Sequence, residues 1–446
     1  MNESRIVIVG AGSHFTLGLL GDFLRVNDLW GSELVLMDID DERLNVMKKI
    51  VEGVIHRKGV DLKISATTDL NEALEGAGFV IVTIRAGGLD ALRELIEIPL
   101  RFGTMEVVGD TVGPSGLLKG ILEIPAVVDV ANNVKDISPE AVVLNFTNPM
   151  TPICRAVRKI TSLQMIGLCH GVHHIRKLAC DILKHLHCSA QKLDVDAAGI
   201  NHLTWTIGIR YEGRSVYEEF LSDLFSHDHE DIIARHPYLI GREICGVFGV
   251  PPTLSDRHTS EFFRYLYDWI SDPIYGPTLR NISGYIDYEN RTLSRAAVEN
   301  EERRMRELHK MAEGSKDVEI SPSGEYALDI ISTVKNERRK RLLAANIPNR
   351  DTMNGIASEY IVEVPVEVDK HGFTPTRRIS LPRSIVSALD QHLVKFETLV
   401  DGILERDRNL IVQAIAMDPL TPSPHKAEKI FNLFVERCSD SKFLSS

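Results

Sequence analysis

Four short stretches carry side chains able to do chemistry together. MIGLCHGVHH places Cys169 and His170 at the end of an apolar run, GINHL carries His202, NFTNPM carries Asn148, and IVIVGAGS carries Gly10 and Gly12. A thiolate and an imidazole both bind a first-row divalent ion, and two protein ligands leave positions open for substrate oxygens. The plain alternative is a buried thiol among core histidines. Glycines at positions 10 and 12 allow a tight turn and close approach of backbone to a pyrophosphate, which then sits on the N-terminus of a helix starting near Ser13. Phe15 stands where G-x-G-x-x-G has its third glycine, so this fingerprint is partial. Asp38, at the end of the next apolar run, is suited to accept from both adenosine ribose hydroxyls. An acid there disfavours a 2′-phosphate and so selects NAD over NADP.

Such residues need a scaffold that brings strand ends together. Apolar runs at Ile6–Val9, Leu34–Met37, Phe79–Ile84, Val142–Phe146 and Met165–Leu168 alternate with helix-length stretches such as Asp41–Arg57 and Ile121–Val134. This alternation predicts βαβ units and a parallel sheet covered on both faces. Pro149, after Asn148, marks a sharp exit over the carboxyl edge of that sheet, where ligands bind in open α/β folds. The expectation is a Rossmann-type doubly wound α/β domain over residues 1–190.

Beyond residue 190 the pattern changes. Leu203–Tyr211 and Ile361–Val368 have strand character, Asp287–Gly314 reads as a charged exposed helix, and Leu381–Arg437 carries helical periodicity. Residues 191–446 are therefore expected to form an α+β C-terminal domain for substrate, metal and subunit contacts. His173 and His174 belong to the helix after GLCHG. Arg338, Arg339, Lys340 and Arg341 read as a solvated helix face.

Composition sets the limits. The 446 residues suit two or three domains, and the excess of 63 acidic over 51 basic residues gives a formal charge of −12. That balance argues against a general nucleic-acid or anionic-membrane surface. No segment approaches the ~20 apolar residues of a membrane span. The N-terminus lacks the basic-then-apolar pattern of a secretory signal, so a cytoplasmic protein is expected. Six cysteines without a CxxC pair are expected to be reduced thiols, five of them packing residues and Cys169 a ligand.

In order and spacing the chain resembles glycoside hydrolase family 4, the NAD- and manganese-dependent glycosidases. The resemblance spans nearly the whole chain. It rests on IVIVGAGS, Gly87–Gly88 in IRAGG, IPLRFG followed by GDTVGPSG, NFTNP, GLCHG, GINH, DRHTSEFF, and IPN with IVEVPV. It implies oxidation of the sugar at carbon 3 by NAD, loss of the proton on carbon 2, elimination of the leaving group, addition of water and return of the hydride. NAD is then a retained cofactor, and a divalent metal, manganese in the family, serves as Lewis acid.

Residue by residue, the resemblance makes Cys169 and His202 the metal ligands and Asn148 a substrate contact near the metal. Gly10, Gly12, Ser13 and Asp38 become the cofactor site, and His170 the group that protonates the departing aglycone. The carbon-2 base falls in TLSDRHTSEFF, with Asp256 the first choice and His258 and Tyr265 as rivals. The alternative for Asp256 is a helix cap or an ion pair with Arg257. A histidine after the metal cysteine marks the branches acting on unphosphorylated α-galactosides, α-glucosides and α-uronides, with the α-galacturonidases nearest over the whole length. A uronate needs a bidentate arginine, for which Arg85, Arg93 and Arg257 are candidates. The family also implies homodimers or homotetramers. The rival readings are a malate- or lactate-type NAD-dependent dehydrogenase and an inactive NAD-binding regulator. Such dehydrogenases are ~100 residues shorter and need no Cys-His metal pair.

Overall fold

The computed structural model describes residues 4–438. Its first six strands are β1 (Arg5–Val9), β2 (Glu33–Met37), β3 (Lys63–Thr67), β4 (Phe79–Val82), β5 (Val142–Asn145) and β6 (Met165–Gly167). They are parallel and lie in the order β3-β2-β1-β4-β5-β6. The valine and isoleucine runs form the central strands because helices cover both faces. Val7, Ile81 and Val82 are fully buried, each worth roughly 1.5–3 kcal/mol of apolar transfer. Strand β3, KISAT, has no apolar run to announce it. As an edge strand it exposes Lys63 and only half-buries the rest.

The second half extends the same sheet. Strands β7 (Leu193–Ile200), β8 (Leu203–Tyr211) and β9 (Arg214–Ser215) form an antiparallel meander. A small hairpin, β10 (Ile286–Asp287) and β11 (Thr292–Leu293), stands apart. Strands β12 (Lys340–Pro348), β13 (Ile361–Asp369) and β14 (Gly372–Pro375) complete the set. β12 pairs with β6 at Asn346 and Gly167, and β13 pairs with β7 at Glu363 and Gly199. One twelve-stranded sheet thus runs through residue 190, mixed in the way of many α/β folds.

The Arg338–Arg341 cluster is not a helix face. Lys340 and Arg341 open β12, opposite Val368 and Glu367 of β13. The partner strand outweighs local helical pattern here. Arg341 pairs with Asp194 and, at 2.5 Å, with Asp196, while Arg338 pairs with Asp28 at 2.7 Å.

The charged helix occupies Arg295–Ala312 with Leu308 as its buried residue, and it packs along the helix Asp41–Lys58. Helices Arg383–Glu405, Arg408–Met417 and Pro424–Arg437 carry the chain end back onto the first half. Arg155 grips Glu397 there through two bonds of 2.6 and 2.8 Å. Among the described residues no helix is long and apolar enough to cross a membrane.

Candidate active site

The carboxyl ends of β1 and β2 form a nucleotide cradle. Gly10 has φ +90°, and a Cβ on it would lie 2.5 Å from the carbonyl oxygen of Thr83. Only glycine fits where the chain leaving β1 passes the end of its neighbour β4. The amides of Gly10 and Ala11 donate to the Met37 carbonyl at 2.9 Å, and Gly12 donates to Asp38 at 2.8 Å. Ser13 follows, its hydroxyl accepting from Phe15 at the start of the helix Phe15–Arg25. Asp38 is thereby fixed beside the loop, with its other oxygen on the Asp40 amide at 3.0 Å. This backbone loop against a helix N-terminus fits a dinucleotide.

The neighbouring strand ends build a second cluster. Asn145 of β5 pairs with Gly167 of β6, so Asn148 and Cys169 leave adjacent strands at one edge. His202 comes from across the sheet, at the tight turn between β7 and β8. Its φ is +67°, an uncommon state for a residue with a side chain and one that recurs at functional sites. Gly199 makes that turn possible, because a Cβ there would lie 2.2 Å from the Leu203 carbonyl oxygen. Asn201 and Asn346 both donate to the buried carboxylate of Glu363, at 3.0 and 3.2 Å, bracing the turn from behind.

Asp110, His202 and His258 each bring a donor atom within 4.8 Å of the others. The rings of His202 and His258 lie 4.1 Å apart. The Thr111 hydroxyl donates to Asp110 at 2.8 Å and is 2.8 Å from His202 Nδ1. With its own proton committed to Asp110, that hydroxyl accepts from Nδ1–H, which leaves the Nε2 lone pair for a metal. Burial disfavours charge on His202, yet the neighbouring Cys169 and the Asp110 carboxylate raise its pKa well above the ordinary value, so this pocket favours a positive charge at Nε2, and a metal cation would take the place of the proton there. Burial works to raise Asp110, but the hydrogen bond and charge of His202 hold it well below the usual carboxylate range. Burial, and then the charge of His202, pull His258 down to about 3. The nitrogen and oxygen donors of this triad, with Cys169 hydrogen-bonded to His202 beside them, fit a first-row divalent ion.

The other expected site residues divide. Asn148 is half-buried, and its Oδ1 is buried with no hydrogen-bond partner, so it is ready for a ligand donor. His170 is largely exposed, with Nδ1 2.6 Å from the buried Glu325, whose hydrogen bond raises the imidazole pKa. Arg257 makes no ion pair among the described residues. Its Nε is buried without a partner, and its guanidinium lies 5.7 Å from the centre of the Tyr285 ring. Arg85 is held by Glu301 at 2.9 Å, and Arg93 is exposed on the helix Gly88–Arg101. Asp256 turns toward the helix Leu239–Phe248, its oxygens accepting from the amides of Ile240 and Gly241 at 3.1 and 2.9 Å. It acts as a cap, and burial pushes its pKa up to about 7. Tyr265 is exposed and stacks on Phe263.

Sequence reasoning did not single out Asp110, Thr111 or Glu325. Asp110 and Thr111 lie inside GDTVGPSG, a motif whose polar residues follow a glycine, but nothing local says that they face His202, 91 positions from Thr111.

Comparison with known proteins identifies the family. The family 4 glycosyl hydrolase model matches residues 5–185, and the model for the C-terminal domain of that family matches residues 197–421. An alpha-galactosidase of Rhizobium meliloti is 30% identical, with 98% of this chain and 88% of the relative covered. An alpha-galacturonidase of Thermoanaerobacter italicus is 28% identical, with 96% and 95% covered. Among solved structures, a putative glucosidase of Bacillus subtilis superposes with a TM-score of 0.85 at 24% identity, over 97% of this chain and all of that one. A 6-phospho-alpha-glucosidase from gut microorganisms, in complex with NAD and Mn2+, superposes with a TM-score of 0.81 at 21% identity over 98% of both chains. The chain belongs to glycosyl hydrolase family 4.

Proposed function

We propose that this family 4 enzyme is an NAD- and Mn2+-dependent glycosidase acting on unphosphorylated α-glycosides, and within that class an α-galacturonidase. The observation that carries the choice of sugar is Arg257. A half-buried guanidinium with no carboxylate partner among the described residues, next in sequence to His258, is suited to bind an anionic ligand. A uronate carboxylate is such a ligand, through two parallel bonds. Arg85 already has Glu301, and Arg93 stands in solvent.

Gly10, Gly12, Ser13 and Asp38 would hold NAD, and Cys169 and His202 the metal, with Asp110 beside them. Bound there, NAD supplies a reversible hydride acceptor and the divalent ion supplies Lewis acidity at neighbouring sugar hydroxyls. The chain does the rest. The unpartnered Asn148 Oδ1 accepts from a sugar hydroxyl and orients the ring. His170, steadied by Glu325, donates the proton to the departing glycosidic oxygen from the open side of the site. The carbon-2 proton falls to the segment from Asp256 to Tyr265. Geometry favours His258, whose ring lies 4.1 Å from that of His202, over Asp256, whose oxygens are committed to backbone amides, and over the exposed Tyr265. Residues 1–190 then supply the cofactor loop and residues 191–446 the sugar recognition, in a cytoplasmic homodimer or homotetramer with reduced thiols.

The test is a panel of aryl and disaccharide α-galacturonides, α-galactosides, α-glucosides and α-glucuronides offered with NAD, Mn2+ and a reducing agent. Galacturonide cleavage without net NADH is expected. A preference for a neutral sugar or a glucuronide overturns the substrate assignment. Steady NADH accumulation without cleavage overturns the glycosidase reading in favour of a malate- or lactate-type dehydrogenase.

A further inference from the structure

The loop that carries Asp110 and Thr111 is held from the far half of the chain. The amides of Val107, Val108 and Gly109 all converge on one oxygen, Oε1 of Glu261, at 2.7, 2.8 and 3.0 Å. Successive backbone N–H groups aimed at one point form an anion-binding nest. Here the anion is an internal carboxylate, 1% exposed. The same loop is fixed on its carbonyl side, where Ser283 donates to Val107 at 2.7 Å and Tyr288 donates to Glu106 at 2.6 Å. At its far end the Gly113 amide donates to Asp418, which is buried against Lys395.

Glu261 lies three residues after His258, on the turn that continues the short helix Asp256–Thr259. One short segment therefore fixes two sides of the cluster, presenting the His258 ring directly and Asp110 through the captured loop. From Asp110 the connection runs through the Thr111 hydroxyl to His202 Nδ1. We propose that Glu261 is a positioning residue for the metal site, holding the 107–109 backbone so that Asp110 and Thr111 set the orientation of His202. This rests on the metal reading above but not on the identity of the sugar. Groups one step removed from metal ligands typically alter metal affinity ~10–100-fold.

The experiment compares wild type, Glu261→Gln and Glu261→Met as full-length protein without any glycoside. Mn2+ affinity is read by electron paramagnetic resonance, NAD affinity by calorimetry, and opening of residues 107–113 by hydrogen exchange. Glu261→Met removes the acceptor and is expected to weaken Mn2+ binding at least ~10-fold and to speed exchange in the loop, with NAD affinity within twofold of wild type. Glu261→Gln keeps one acceptor oxygen and is expected to fall between. If Glu261→Met does not fold, Glu261→Gln decides alone, through Mn2+ binding weakened at least ~3-fold with NAD binding intact. Mn2+ affinity within twofold of wild type in the folded variants overturns the proposal, even if the loop exchanges faster. A parallel loss of Mn2+ and NAD affinity also overturns it, since that marks general damage. Wild type that binds no Mn2+ overturns the metal reading and this proposal with it.

Discussion

The nucleotide cradle and the metal cluster share a sheet edge but are assembled in opposite ways. In the cradle Gly12 reaches Asp38 across 26 positions, and backbone amides make most of the contacts. In the cluster His202 meets Thr111 across 91 positions, and the loop bearing Asp110 hangs on a carboxylate 154 positions from Val107. The cradle needs glycines and one acid at the ends of two strands, which is a local demand. The cluster needs buried polar groups brought together from both halves of the chain. The cradle can therefore form wherever its βαβ unit forms, whereas the cluster depends on the two halves of the twelve-stranded sheet being joined.

The largest expected effect separates the two directly. Cys169→Ser or His202→Ala should lower metal-dependent turnover about 1000-fold, equivalent to about 4 kcal/mol of transition-state stabilisation, while NAD titration stays within twofold of wild type. Unchanged turnover in Cys169→Ser would refute that ligand. The converse variant is Gly10→Val, which drives a side chain into the Thr83 carbonyl. It should weaken NAD binding at least ~10-fold while Mn2+ affinity holds, and equal loss of both would mean that the two sites are one cooperative unit.

A middle-sized effect concerns the sugar. Arg257→Gln should cut kcat/KM on α-galacturonides about 10–100-fold, because bonds to a charged group are worth about 1.5–3 kcal/mol each. A neutral α-galactoside should change far less, and an equal fall on both substrates would give Arg257 a general structural role.

The smallest effect is on stability. Asp256 keeps its proton up to about pH 7 in the fold, whereas an unfolded aspartate releases it near ~4. The folded state thus holds the extra proton between these values, and this group's contribution to stability is lost as pH rises from ~4 to ~7. Asp256→Asn keeps an acceptor oxygen but has no proton to lose, so its Tm should decline less than that of wild type over that range, with turnover retained. A folded Asp256→Asn protein without turnover would make Asp256 the base and displace His258.

What could be read from sequence follows the same division. Gly10, Gly12 and Asp38 were legible because strand, turn and acid lie within one unit. Cys169 and His202 stood out as soft donors at strand or turn ends, and Asn148 through the proline that follows it. Asp110 was hidden, since an acid in a glycine-rich loop looks like any turn residue until Glu261 shows where the loop is held. Asp256 shows the reverse problem: its place in DRHTSEFF suggested chemistry, but the amides of Ile240 and Gly241 engage its carboxylate. The misread Arg338–Arg341 cluster has a similar origin. Its local pattern is helical, but Val366 and Val368 of β13 require an extended partner, and Leu342 and Lys340 supply it.

The measurement closest to the central claim is exchange at carbon 2 of the sugar. Wild-type enzyme with NAD and Mn2+ is allowed to cleave an α-galacturonide in deuterated water, and the released sugar is analysed by NMR. Oxidation at carbon 3 followed by proton removal at carbon 2 predicts deuterium at carbon 2 of the product and none at carbon 4. Cleavage with carbon 2 fully protonated would contradict the account, and would mean that the bond is broken by direct displacement.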